Sequence, residues 1–183
     1  MADPTSPVFY DCEASSLDGF VIEVGWAYVR PDDGQIIAAS HLVRPLAEWQ
    51  IETVWDESAE ALHGISLAEL SARGNPVRDI ANAMNGGLAG RELYSDSPFD
   101  EAWLSQIFEG AGIEPSFFVR QTSADTLLER AVAEQQFDRS RYRMAVDEAE
   151  QNRRHRAESD ARMWAQLWQM ITKMRHDAGG QNL

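Results

Sequence analysis

VFYDCEASSLDGFVIEVGWAYVRPDDGQIIAASHLV, residues 8–43, is the stretch from which the rest of the chain can be read. Val8–Glu13 is a short run of strand-forming residues, Ala14–Gly19 is a polar turn, and Phe20–Val29 is a second apolar run. Pro31-Asp32-Asp33-Gly34 carries a strong turn signal, and Gln35–Val43 beyond it reads as a partner strand. Three consecutive strands on short connections predict an antiparallel meander.

The character changes after Pro45. Ser66–Arg73 reads as a short helix and Pro76–Gly86 as a longer one, with Asn75 placed to cap it and Pro76 in its first turn. Arg91–Tyr94 is a short strand, Phe99–Gly110 a helix ended by glycine, and Ser116–Gln121 another strand. Asp125–Phe137, Asp138–Asn152 and about Glu158–His176 read as helices. Strand–helix alternation in the second half predicts parallel strands added to the opening meander, an α/β mixed sheet flanked by helices.

The chain has 183 residues, enough for one domain with a substantial core, and we expect a single domain over 1–183. Its core is expected at about 8–176, with flexible tails at 1–6 and 177–183. MADPTSPVFY lacks the basic and apolar regions of a signal peptide, and no apolar run approaches the ~20 residues that span a bilayer. A cytoplasmic location is the expectation. Cys12 is the only cysteine, so neither an intramolecular disulfide nor a thiolate metal site is available. The formal net charge of −14 argues against broad wrapping of duplex nucleic acid. Positive charge gathers at Arg139/Arg141/Arg143 and at Arg153/Arg154/Arg156. These arginines suit either a short phosphate-bearing end or a solvated helix surface.

Three groups of residues carry chemistry. Asp11 and Glu13 lie two apart on a strand, so both carboxylates project from one face. Such a pair repels unless a cation lies between, and a divalent ion is the usual answer. Ser95–Asp100 follows a strand and enters a helix, a position where ligand sites of open α/β sheets gather. Asp96 or Asp100 could supply a third acid there, or could cap the helix that follows. Last come His155 and Asp160. On a regular helix they would lie about 140° apart. They face one site only if His155 sits on the loop before the helix and Asp160 in its first turns.

Taken in order, Asp-x-Glu, a later Asp and His-x4-Asp resemble the DEDDh (DnaQ-like) 3′→5′ exonuclease family of the ribonuclease H-like superfamily. Val21–Val24 with Gly25 resembles the family's second strand, and Ala61–Ser66 its "HGI[ST]" segment. Phe99-Asp100 matches the Phe-Asp of its second motif, and Asp125-Thr126-Leu127 resembles its "DTL". The likeness runs from about Val8 to Leu167. It departs at Ala14-Ser15-Ser16, where the family often carries threonines, and at Asp96, where many members have Asn.

The resemblance implies a ribonuclease H-like sheet and hydrolysis of phosphodiester bonds at the 3′ end of single-stranded DNA or short RNA. Asp11, Glu13, Asp100 and Asp160 would hold two divalent ions, with His155 as general base. Hard oxygen ligands favour Mg²⁺ or Mn²⁺. Carried over from the family, Ala14, Ser15, Leu17, His63 and Phe99 would line the pocket for the terminal nucleotide. Glu23 is expected to be structural, and Trp164 and Trp168, four apart on one helix, to be core. Single-stranded 3′ ends or short oligonucleotides are the expected partners, with a homodimer left open. Two alternatives remain: a phosphodiesterase acting on dinucleotides or nucleotide cofactors, and a non-catalytic nucleic-acid-binding module. The presence of all five catalytic residue types weighs against the second.

Overall fold

In the computed structural model, which describes residues 6–173, the meander forms as expected. Strands β1 (Val8–Ala14), β2 (Val21–Val29) and β3 (Ile36–Leu42) pair antiparallel. β4 (Glu92–Tyr94) adds to β1 in parallel and β5 (Phe118–Val119) to β4, giving the order β3-β2-β1-β4-β5. Among the described residues seven helices form: α1 (Glu57–His63), α2 (Leu67–Arg73), α3 (Val77–Leu88), α4 (Asp100–Ala111), α5 (Ala124–Glu134), α6 (Arg139–Gln151) and α7 (Ala157–Thr172). The expected tails and the last turn of the final helix lie outside the described residues, apart from Ser6. No helix among the described residues is long and apolar enough to cross a membrane.

β1 is central, and every residue in it is buried. Its alternation divides the core. Val8, Tyr10 and Cys12 pack with α3 and α4, whereas Phe9 faces the opposite layer, among residues of α5, α6 and α7. Asp11 and Glu13 share the parity of Phe9 and so project toward α7. Trp164 is buried in that layer and Trp168 packs beside Phe9, so both are core residues as their spacing predicted.

Several local expectations are corrected. Asn75 does not cap α3, whose flanking residue is Pro76. Its backbone and side-chain nitrogens both donate to Leu42 O, at 2.8 and 3.4 Å, tying the chain to the end of β3. The glycine that ends α4 is Gly112, not Gly110. Gly112 adopts φ 63° and its N–H turns back to the Phe108 and Glu109 carbonyls. Gly110 stays helical beneath Leu46, whose Cδ1 would lie 2.7 Å from an added Cβ. β5 is two residues long, shorter than the expected Ser116–Gln121, and pairs with Glu92 and Leu93 of the three-residue β4. Residues 44–65, given no secondary structure from sequence, form two 3-10 turns and α1, with Asp56 capping α1 through Ser58 N at 2.7 Å.

Candidate active site

The carboxyl ends of β1 and β4 and the start of α7 meet at one place. Two features dock α7 there. The Glu23 carboxylate is 2% exposed and accepts from Arg156 Nε and Nη2, at 3.0 and 2.8 Å, and from Ala157 N at 3.0 Å. It thereby satisfies a free N–H of the first turn of α7, a place that favours negative charge. Gly25 is the second feature: an added Cβ would lie 2.4 Å from Ala157 C and Glu158 N, so only glycine lets β2 approach this closely. Glu23 is structural, as expected, and what it builds is the seat of Asp160.

Carboxylate oxygens of Asp11, Glu13 and Asp160 come within 4.8 Å of one another, and so do those of Asp11, Asp96 and Asp100. Asp11 belongs to both groups. A register irregularity between Glu13 and Ala14 ends the regular pairing of β1 with β2 beside the first group. All five acids but Asp96 are less than a tenth exposed. Asp11 Oδ2, Asp96 Oδ1 and both Asp100 oxygens are buried without a hydrogen-bond partner. Buried carboxylate oxygens are rarely left so, and an all-oxygen donor set with unpartnered atoms suits a hard divalent cation. Asp100, the third acid expected from the sequence, joins the cluster, and Asp96, which was not expected as a ligand, lies in it as well.

Charge crowding shows in the acids themselves. Burial, with Asp160 and Glu23 nearby, pushes the Glu13 carboxyl up to about 8. Burial and Asp96 do the same for Asp100, also to about 8, and burial and Asp100 raise Asp11 well above the carboxylate range. A carboxyl whose folded pKa exceeds its unfolded value binds more protons folded than unfolded. Its contribution is therefore fully present below about pH 4 and is lost as pH rises through the folded pKa. In EDTA the protein is expected to lose melting temperature steadily between about pH 5 and 8, and saturating Mn²⁺ should flatten that decline. A melting temperature in EDTA that rises across this window would contradict the arrangement.

The side chain that reaches the acids from the loop before α7 is Arg153. Its Nε donates to Asp160 Oδ2 at 2.8 Å, Nη1 to Asp96 Oδ2 at 3.0 Å and Nη2 to Asp11 Oδ1 at 3.3 Å. Burial disfavours its charge, but the hydrogen bond to Asp160 and the charges of Asp96 and Asp11 outweigh this and raise its pKa. In the sequence Arg153 belongs to the cluster Arg153/Arg154/Arg156, which suits a short phosphate-bearing end or a solvated helix surface; in the fold it is tied to the acids instead. The only signal was a cation seven residues before Asp160. The other cluster is surface: Arg139 pairs with Glu129 at 2.6 Å, and Arg141 lies over the Phe137 ring.

His155 occupies that loop, as a shared site with Asp160 requires, and Asp160 sits in the first turn of α7. It is half-buried with φ 49°, a left-handed conformation uncommon outside glycine. Its imidazole is not among the hydrogen-bond partners of the acids. The remaining expected contacts divide by exposure. Leu17 and Phe99 are 61% and 42% exposed, with Phe99 stacked on Trp103 at 5.7 Å. Ala14 and Ser15 are buried at the end of β1, and Ser15 Oγ is engaged by Phe20 N at 3.0 Å. His63 is buried, and its Nδ1 accepts from Ile65 N at 3.0 Å. A cavity of about 790 Å³ between α4 and β5 contains none of the clustered acids.

Solved structures with this architecture include exonuclease X in complex with 5′-overhanging duplex DNA, with 19% identity, 93% of each chain covered and a TM-score of 0.54. E. coli exonuclease I in complex with a dT13 oligonucleotide aligns over 96% of this chain at 12% identity and a TM-score of 0.59. This chain spans only 42% of the length of exonuclease I. No family model and no curated protein sequence matches the chain. At such identities the likeness shows the fold, a mixed sheet flanked by helices as in these exonucleases.

Proposed function

We propose that this chain is a metal-dependent 3′→5′ exonuclease that shortens single-stranded DNA or short RNA and releases nucleoside 5′-monophosphates. The observation that carries the reading is the pair of carboxylate groups sharing Asp11, a donor set that would hold two divalent ions. When bound, two Mg²⁺ or Mn²⁺ ions supply activation of water and neutralisation of charge on the phosphoryl oxygens. Glu13 and Asp160 would complete one site with Asp11, and Asp100, with Asp96 beside it, the other. His155 would accept the proton of the attacking water, the task of a positioned general base. Leu17, Phe99 and His63 would line the pocket for the terminal base and sugar, with the Ala14 and Ser15 backbone alongside. The 3′ polarity rests on the family resemblance.

Net charge −14 leaves little surface for long nucleic acid, so recognition should be confined to the terminal nucleotides. The experiment is hydrolysis of labelled DNA and RNA strands of graded length with Mn²⁺ and with EDTA. Cleavage should need the ion and its efficiency should level off after a few nucleotides. Cleavage that persists in EDTA would remove the metal mechanism.

A further inference from the structure

We propose that Arg153 is an intramolecular competitor for the ion site and sets the threshold at which a divalent ion binds. The inference rests on the reading of the acids as ion ligands. Three nitrogens of one guanidinium contact Asp160, Asp96 and Asp11, and Glu150 lies 3.8 Å from Nη1. Asp11 and Asp160 belong to the group that would hold one ion, and Asp11 and Asp96 to the group that would hold the other. The guanidinium thus takes oxygens from both sites at once, in a planar fork suited to carboxylates.

Two further features mark this as a built contact. Asp96, which departs from the Asn common at its position in the resembling family, is one of the three anchors. It adds a fifth carboxylate to the cluster and at the same time a hold on Arg153. Second, the loop pays for the arrangement in backbone strain: two residues on, His155 is left-handed at φ 49°. Such strain persists only where the surroundings enforce it, and residues 153–156 are held at both ends, by the ion pairs of Arg153 with the acids and by that of Arg156 with Glu23. The Arg153 side chain is 20% exposed, and its neighbours Asn152 and Arg154 are exposed, so its route to solvent is short. An ion at Asp11 and Asp160 brings a second positive charge to carboxylates that the guanidinium already neutralises, so the two bindings oppose each other by the same factor in each direction.

The test is calorimetric titration of Mn²⁺ into the metal-free protein and into Arg153→Gln, with melting temperatures of both in EDTA and in Mn²⁺. Arg153→Gln should bind Mn²⁺ about tenfold or more tightly, a usual size for such coupling. It should also melt lower in EDTA, where the acids lose their counter-charge, and gain more from Mn²⁺ than the parent does. Arg153→Lys, which keeps the charge and loses the fork, should fall between, and serves if the glutamine variant does not fold. Arg154→Gln should match the parent. Parent-like or weaker Mn²⁺ binding by both Arg153 variants, with the parent still binding the ion, would overturn the competitor and leave the metal site standing. Failure of every protein to bind Mn²⁺ would overturn both.

Discussion

Asp11→Asn is expected to lower the rate of strand hydrolysis by at least about 10³-fold, while the protein stays folded. Asp11 is the residue common to both carboxylate groups, so its loss removes a ligand from each site. Charge stabilisation by bound ions amounts to several kcal/mol, and each ~1.4 kcal/mol is tenfold in rate. Stability should move the other way. Asp11 is 4% exposed and surrounded by Asp100, Glu13, Asp160 and Asp96, all of which disfavour its charge. Asparagine keeps the shape and removes the repulsion, and Arg153 retains Asp96 and Asp160. Single-turnover rates in Mn²⁺ and melting curves in EDTA check the two halves. Parent-like hydrolysis would mean that the chemistry lies elsewhere.

His155→Ala should keep the fold and Mn²⁺ affinity while the rate falls by about 10²–10⁴-fold, the usual contribution of a positioned base. The side chain sits on a loop and is only half-buried, so truncation removes little packing. The acidic limb of the pH–rate profile should change with it, because the general base is removed. A residue that merely shaped the loop would alter affinity and stability together and leave that limb in place. A folded, ion-binding variant that hydrolyses at the parent rate would take His155 out of the mechanism and leave the acids.

Local signals carried most of the fold. The turn at residues 31–34 works through its own chemistry: Asp33 accepts from Gln35 N at 3.0 Å and from Arg30, so β2 and β3 are joined by residues within reach of each other in sequence. The Asp11/Glu13 pair was legible because strand alternation alone puts both on one face. Asp160 was legible only conditionally, since it lies five positions after His155 and everything depends on where the helix begins. That start is fixed by Glu23 and Gly25 on β2, more than 130 residues away. Arg153 was hidden for the same reason. Its partners Asp96 and Asp11 lie 57 and 142 residues from it, and nothing in its own neighbourhood distinguishes it from Arg154. Gly110 and Gly112 show the limit within a single helix end: both are glycine, but only tertiary contact reveals that one makes room for Leu46 and the other turns the chain.

The most direct measurement is the product pattern from a 5′-labelled single strand incubated with the protein and Mn²⁺. A metal-dependent 3′→5′ exonuclease gives labelled products that shorten one nucleotide at a time, with nucleoside 5′-monophosphate released and no change in EDTA. A strand left intact in Mn²⁺, a labelled mononucleotide as the first product, or the same ladder in EDTA would contradict the account.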